Sequence, residues 1–390
     1  MVLPYMNKIR GEKELSMGHG APLTACSPQP TMLSIMVSKL LLLFLAAHLA
    51  IAAASPEQFE SSWPCPEPDD IRPCVCVERN AHIDLDCSGV TDDDELQNSL
   101  QAYFPFHRFR NFTIKGNGPD ELVPVTKLDK SMLGVLSFMM VEIVYTNITD
   151  IAADTFENSL SRLESLTITD NFISLFPFDM LIDCPHLSKL FLENNNIIHM
   201  SNIYSDSLNS LQVSYNPGLL FETQVFYGAP NLEYLYLDNI ELAHVAADTF
   251  IMQTNLKYLD LSHNNIEVLY EDSLAFNNTG VKEIKLEGNS IHTVEQDAIS
   301  GLNPGMSLWL QHNLLTDVPQ EVWEPVLMTL DGSADDSPNG AVFLHDNPIR
   351  CECNILWMLE TYMDIVEEGA TCDDGQLLTA IDVGFLEVNC

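Results

Sequence analysis

The stretch NLKYLDLSHNNIEVL, from Asn255 to Leu269, places leucines at 256, 259 and 261, an asparagine at 264 and an isoleucine at 266. The pattern L-x-x-L-x-L-x-x-N-x-I commits its apolar residues to a buried face and leaves the positions between them free for other work. Segments of the same form begin at Leu163 (LESLTITDNFI), Leu187 (LSKLFLENNNI), Leu208 (LNSLQVSYNPGL), Leu232 (LEYLYLDNIEL), Val281 (VKEIKLEGNSI) and Gly305 (GMSLWLQHNLL), at intervals of 21 to 25 residues. Weaker copies start at Phe109, Met139 and Asn339. One match arises by chance, but seven at a near-constant period mark an internal repeat.

A repeat of this length contributes one short strand. Neighbouring strands stack in parallel into a curved sheet over a continuous core. The asparagine of each copy can bond backbone groups where the chain leaves its strand, which satisfies donors that burial would otherwise strand. The phenylalanines of IAADTF (Ile151–Phe156) and VAADTF (Val245–Phe250) suit the convex side. The pattern resembles the leucine-rich repeat. That resemblance implies an α/β leucine-rich-repeat solenoid, horseshoe-like, with the parallel sheet on its concave face.

The 390 residues are 46% hydrophobic, enough for a large core, and carry a formal net charge of -39. Such acidity argues against nucleic acid, whose phosphates need concentrated Lys and Arg, and against anionic membrane surfaces. It favours neutral or basic partners, or divalent cations. MVSKLLLLFLAAHLAIAAAS (residues 36–55) has the layout of a signal peptide, with cleavage expected after Ala54 or Ser55 and a true start at Met32 or Met36. Its apolar run is shorter than the roughly 20 residues a membrane span needs. No later segment is apolar enough to cross a bilayer. The expectation is a secreted protein with a leader and signal peptide over 1–54.

Beyond that leader, Cys65, Cys74, Cys76 and Cys87 cluster near one end, Cys351, Cys353, Cys372 and Cys390 near the other, and Cys184 stands alone. In an oxidising compartment, clustered cysteines read as disulfides rather than zinc ligands. A solenoid exposes its core at two ends, and the clusters sit where caps are needed. CPEPDDIRPCVCVERNAHIDLDC and NPIRCECNILWMLE, with Cys372 and Cys390, resemble the flanking domains of extracellular leucine-rich-repeat proteins. That resemblance implies the pairs Cys65–Cys76, Cys74–Cys87, Cys351–Cys372 and Cys353–Cys390. CNILWMLE reads as a short helix with Ile355, Leu356 and Leu359 on its apolar face and Trp357 in the cap core. Cys184 reads as a buried thiol on the convex side. The expected division is a cap region over 55–108, repeats over 109–338, and the last repeat with its cap over 339–390.

Strand side chains alternate, so the non-leucine strand positions face the concave surface. One column down the stack reads Thr167, Phe191, Gln212, Tyr236, Asp260, Lys285, Trp309, Phe343. The column beside it reads Ser165, Lys189, Ser210, Tyr234, Tyr258, Glu283, Ser307. Tyr234, Tyr236 and Tyr258 are expected to cluster beside Asp260, Lys285 and Trp309, with Phe191 further along. Aromatic residues beside a few charges have the composition of a binding hot spot.

No nucleophile elbow, metalloprotease motif or phosphate loop is present, so no catalytic residue and no cofactor is expected. His263 and His312 share a repeat position and His345 sits one place earlier. With repeats expected between them, they read as solvated turn residues and no metal site is assigned. TDDDEL (Thr91–Leu96) reads as solvated surface, not as a calcium loop. Glycosylation sequons occur at Asn111, Asn147 and Asn277. Asn147 is placed in the asparagine ladder, where a buried amide could not carry a sugar. DGSADDSPNG (Asp331–Gly340) is expected to be an acidic loop that lengthens the last repeat spacing.

CPEPDDIRPCVCVE, the region around TDDDELQNSLQAYFPFHRFRNFTI and the ending TCDDGQLLTAIDVGFLEVNC resemble the arthropod family of Oplophorus-luciferin 2-monooxygenase non-catalytic subunits. The resemblance implies a secreted, non-catalytic partner protein, with a small catalytic subunit as one candidate companion. The expected function is binding of an extracellular protein through the concave face. Accessory-subunit, matrix or adhesion, and innate-immune recognition roles are the alternatives.

Overall fold

The computed structural model describes residues 64–277, 280–332 and 338–390. The expected leader and signal peptide lie outside these residues. One twelve-stranded sheet organises the molecule. It begins with an antiparallel pair, Val75–Arg79 against His82–Asp86. It then runs in parallel through Arg108–Lys115, Ser137–Val144, Ser165–Thr169, Lys189–Phe191, Ser210–Gln212, Tyr234–Tyr236, Tyr258–Asp260, Glu283–Lys285, Ser307–Trp309 and Ala341–Phe343. Strand order follows chain order, as a solenoid requires. The middle residue of each short strand (Leu190, Leu211, Leu235, Leu259, Ile284, Leu308, Val342) is 0% exposed, so the period of two is enforced by burial on one face.

At the exit from most of the parallel strands a side-chain ladder secures the turn. Asn264 is representative. Its Oδ1 accepts from the N–H of Ile240 and of Leu242, and its Nδ2 donates to the carbonyls of Leu237 and Leu261. Asn171, Asn195, Asn216, Asn289, Asn313 and Asn347 are buried at the same position. Each buried donor left unsatisfied would cost about 1–3 kcal/mol. Two copies depart from asparagine. Ile240 fills one place, where Gly218 N–H is met by the Ile240 carbonyl instead. Thr146 fills another, its Oγ1 donating to Asn171 Oδ1 at 2.6 Å.

The residue before each rung takes the left-handed backbone conformation: Tyr145, Asp170, Asn194, Tyr215, Asn239, His263, Gly288, His312 and Asp346 have φ between 53° and 67°. Asn, Asp, His and Gly are the residues that tolerate this region best. The turn itself therefore selects most of these residue types.

The convex side is built from turns, short strand pairs and a phenylalanine stack in which Phe226, Phe250 and Phe276 follow one another at centroid distances of 6.0 and 6.2 Å. Phe156 is also buried. Cys184 closes the 3-10 segment Phe178–Asp183. It is buried, its Sγ lies 3.4 Å from the Met180 carbonyl, and burial pushes its thiol up to about 11. It is inert toward solvent.

The caps close both ends. Disulfides join Cys65 to Cys76, Cys74 to Cys87, Cys351 to Cys372 and Cys353 to Cys390. TDDDEL is not merely solvated surface. Asp92 caps the helix Asp93–Leu100 by accepting from Glu95 N–H, Glu95 reaches back to Thr91 N–H, and Asp93 clamps Thr126. Between the last two strands the extra length goes into a helix, Gln320–Leu330, which buries Trp323, Val326, Leu327 and Leu330. The loop expected at Asp331–Gly340 is thus only part of the insertion, and its residues 333–337 lie outside those described. In the C-terminal cap the helix Leu356–Thr361 buries Met358 and Leu359. Ile355 is buried just ahead of it, while Trp357 is half-buried against Tyr362.

Candidate functional site

The strand registers align the two concave columns as the repeat spacing requires. Ser165, Lys189, Ser210, Tyr234, Tyr258, Glu283 and Ser307 follow one another in one column, and Thr167, Phe191, Gln212, Tyr236, Asp260, Lys285, Trp309 and Phe343 in the other. Tyr236 packs on Tyr258 with ring centroids 4.9 Å apart. Lys285 Nζ lies 5.6 Å from the Tyr258 ring centroid and 5.8 Å from that of Trp309. Trp309 stacks face to face on Phe343, 3.8 Å apart and 4° from parallel. Tyr236, Tyr258, Lys285, Trp309 and Phe343 therefore form one continuous stripe, in which the ammonium bridges two aromatic faces. Tyr234, 38% exposed, stands at its edge. Phe191 is separate, with the Gln212 strand between it and Tyr236.

The stripe is half-buried, because the rings cover one another. Asp260 is more withdrawn still. At 8% exposure it accepts from the Tyr258 hydroxyl at 2.8 Å through Oδ2 and from Ser262 N–H and Oγ–H through Oδ1. Its carboxylate orients Tyr258 from below and is committed within the molecule. Burial, then the Asp260 charge, raises the Tyr258 phenol far above its ordinary range, and the same causes raise Tyr236. Both rings are neutral donors and apolar faces at physiological pH.

Sequence reasoning missed the column beyond this stripe. Glu193 is half-buried, its Oε2 has no partner among the described residues, and burial followed by Asp170 and Asp238 raises its carboxyl. Nothing in the repeat pattern flags it, since the position is polar in most copies. A hollow of about 680 Å³, lined by Leu220, Glu222, Ala243 and His244 among others, opens between the loops that follow two of the strands and includes no residue of the stripe.

Two sequence readings are corrected. Asn147 is not a ladder residue. Thr146 occupies the rung and Asn147 is half-exposed beside it, so the objection to a sugar there falls. Asn111 lies on the strand Arg108–Lys115 opposite Asp84 and Met140, half-buried, and Asn277 is exposed. The histidines are the second correction. No repeat separates His312 from His345, because their strands are neighbours in the sheet and the intervening length is the helix Gln320–Leu330. The two rings meet edge to face at 5.3 Å. His312 Nδ1 lies 3.1 Å from Asp346 Oδ2, and His345 Nδ1 lies 3.1 Å from Glu367 Oε1. His263 lies over Gly288, two strands from this pair.

Comparison with known proteins agrees with this architecture. The leucine rich repeat family profile matches residues 138–197 and 230–278. The chain is 27% identical to the Oplophorus-luciferin 2-monooxygenase non-catalytic subunit of Oplophorus gracilirostris, across 84% of this chain and 88% of that one. It is 28% identical to epiphycan of Homo sapiens over 34% of this chain and 43% of the relative. Among solved structures, a chain of the octameric complex of Latrophilin 3, Unc5D and FLRT2, in which FLRT2 supplies leucine-rich repeats, superposes with a TM-score of 0.56 at 20% identity. That match covers 70% of this chain and 81% of the other, and it speaks to fold alone. No helix among the described residues is long and apolar enough to cross a membrane. The repeats, the ladder and the disulfide-bonded caps give the chain the fold of a capped leucine-rich-repeat solenoid, and over 84% of its length it is similar to a non-catalytic subunit.

Proposed function

We propose that the protein is a secreted, non-catalytic binding module that engages a protein partner through the concave stripe Tyr234, Tyr236, Tyr258, Lys285, Trp309 and Phe343. The continuity of that stripe carries the reading. Rings held by stacking and by the Tyr258–Asp260 hydrogen bond lose little freedom on binding, and such preorganised aromatic surface is what dominates protein interfaces. The acidity of the chain suits a neutral or basic partner. Likeness to a non-catalytic subunit over 84% of the chain supports a narrower version, in which the partner is a catalytic subunit that this protein accompanies.

The test is affinity capture from the native extracellular fluid with the wild type and with Tyr236→Ala/Trp309→Ala, which spares Tyr258 so as not to orphan Asp260. A stoichiometric partner captured by the wild type and lost from the folded variant is the expected result. Equal capture by both would move the site to the caps or the convex face. An enzyme as the co-purifying partner would favour the accessory reading.

A further inference from the structure

We propose that His312, His345 and Asp346 form a binding site for a divalent transition metal ion of the zinc type, with Glu367 as the positioning residue behind His345. One ligand atom from each of the three lies within 4.8 Å of the others. Ligand atoms of a single tetrahedral zinc stand about 3.3 Å apart, given metal–ligand bonds of about 2.0–2.1 Å. Closing the triangle therefore asks only for side-chain rotation.

The backbone places these groups. His312 and Asp346 occupy the same left-handed turn position on adjacent strands, at φ 56° and 54°, and His312 N–H donates to the His345 carbonyl at 3.0 Å. Parallel register thus fixes both turns relative to each other before any metal arrives. His345 is held a second time. Glu367 Oε1 accepts from its backbone N–H at 2.9 Å and faces its ring Nδ1 at 3.1 Å. That carboxylate is mostly buried, and its other oxygen is enclosed without a partner among the described residues. A carboxylate on one ring nitrogen sets the tautomer and leaves the other nitrogen to coordinate, which is the usual second layer of a histidine–metal site.

Two imidazoles and one carboxylate select zinc, copper or nickel over calcium or magnesium, which prefer oxygen-only cages. His312 and Asp346 are more than half exposed, so the remaining coordination position is open to water. The site belongs to the strands that carry Trp309 and Phe343, at the rim of the aromatic stripe, but its argument is independent of what that stripe binds.

The experiment is calorimetric titration of the metal-stripped full chain with Zn2+, alongside Co2+ absorption. Variants are His312→Asn, which suits the left-handed turn, His345→Gln and Glu367→Gln. His263→Asn and His292→Gln serve as histidine controls. The expected result is one Zn2+ per chain, lost in either ligand variant, kept in both controls, and weakened roughly 10- to 100-fold in Glu367→Gln with stoichiometry unchanged. A Co2+ spectrum with nitrogen-ligand character, absent from His345→Gln, would support the same assignment. Binding that survives the His312→Asn/His345→Gln double variant, or no stoichiometric binding by the folded wild type, would overturn the proposal.

Discussion

The first strands and the last strands of the sheet share one backbone and present opposite surfaces. At the N-terminal side the concave columns hold Asp84, Asn111, Met140 and Ser165 beside Asp86, Thr113, Glu142 and Thr167. Two of their carboxylates are spent on neighbouring cations. Arg110 grips Asp84 through two hydrogen bonds of 3.1 and 2.7 Å, and Lys115 meets Glu142 at 2.6 Å. Toward the C-terminal side the same positions hold the stacked rings and a lysine shared between two of them. The difference lies wholly in residues that the repeat leaves unspecified, so scaffold and surface are separable properties of this sequence.

That separation can be broken experimentally. The largest effects should come from the scaffold and should be equal at both ends. Asn195→Ala and Asn264→Ala each remove one acceptor and several donated bonds from buried backbone groups, and each should cost about 2–4 kcal/mol in urea unfolding. A cost confined to one of them would show that the two halves do not rest on the same device. Next, Trp309→Ala should weaken partner binding by about 30-fold or more, the scale of an interface hot spot, while Thr167→Ala in the same column leaves surface-plasmon-resonance affinity unchanged.

A smaller effect is expected at the hydrogen bond beneath the stripe. Tyr258→Phe leaves Asp260 Oδ2 without its donor and should cost about 1–2 kcal/mol at neutral pH. The folded phenol is raised by burial and by Asp260, so its stabilising contribution is present below about pH 10 and is lost as the unfolded chain's tyrosine ionises above it. Unfolding midpoints of wild type and variant should therefore converge in strong alkali. Glu193 gives the opposite sign of substitution effect. Its carboxyl is raised by burial and by Asp170 and Asp238, so keeping this acid in the fold is a cost at pH 7. Glu193→Gln should raise the midpoint at pH 7 and lose that advantage as pH falls below the ordinary carboxylate range, where the unfolded and folded groups are both protonated. Least of all should matter the half-exposed pair at the other end. Glu142→Gln, which frees Lys115, should cost less than about 1 kcal/mol and nothing measurable in high salt.

Much of this was legible in the chain. Leucines at fixed spacing announce strand, register and core, and the register in turn assembles Tyr236, Tyr258, Lys285 and Trp309 without any coordinates. What the spacing could not show was how far each side chain would sink. Asp260 looked like a surface charge, but a tyrosine hydroxyl and a serine two residues away draw it inward. The histidine pair was hidden by a different cause. A longer interval between two repeats looks like distance, but the added residues form a helix on the convex side and the strands stay adjacent. Asn147 was misplaced by one position because threonine can stand on a rung in place of asparagine, its hydroxyl donating to the next rung's Asn171 and accepting from Ile148 N–H.

The isoleucine at position 240 has a consequence for how the molecule comes apart. In a stacked array, cooperativity is transmitted only between nearest neighbours. Where side-chain amides link each unit to the next, opening one unit raises the free energy of its neighbours, and the array melts as one. Ile240 removes one such amide link, and the junction there relies on main-chain bonding, leucine contact and the bond from the Ser214 hydroxyl to Asp238. The coupling free energy across that junction is therefore lower than where an asparagine bridges the units. Native-state hydrogen exchange in mild denaturant should resolve two cooperative blocks that meet there, each with its own cap.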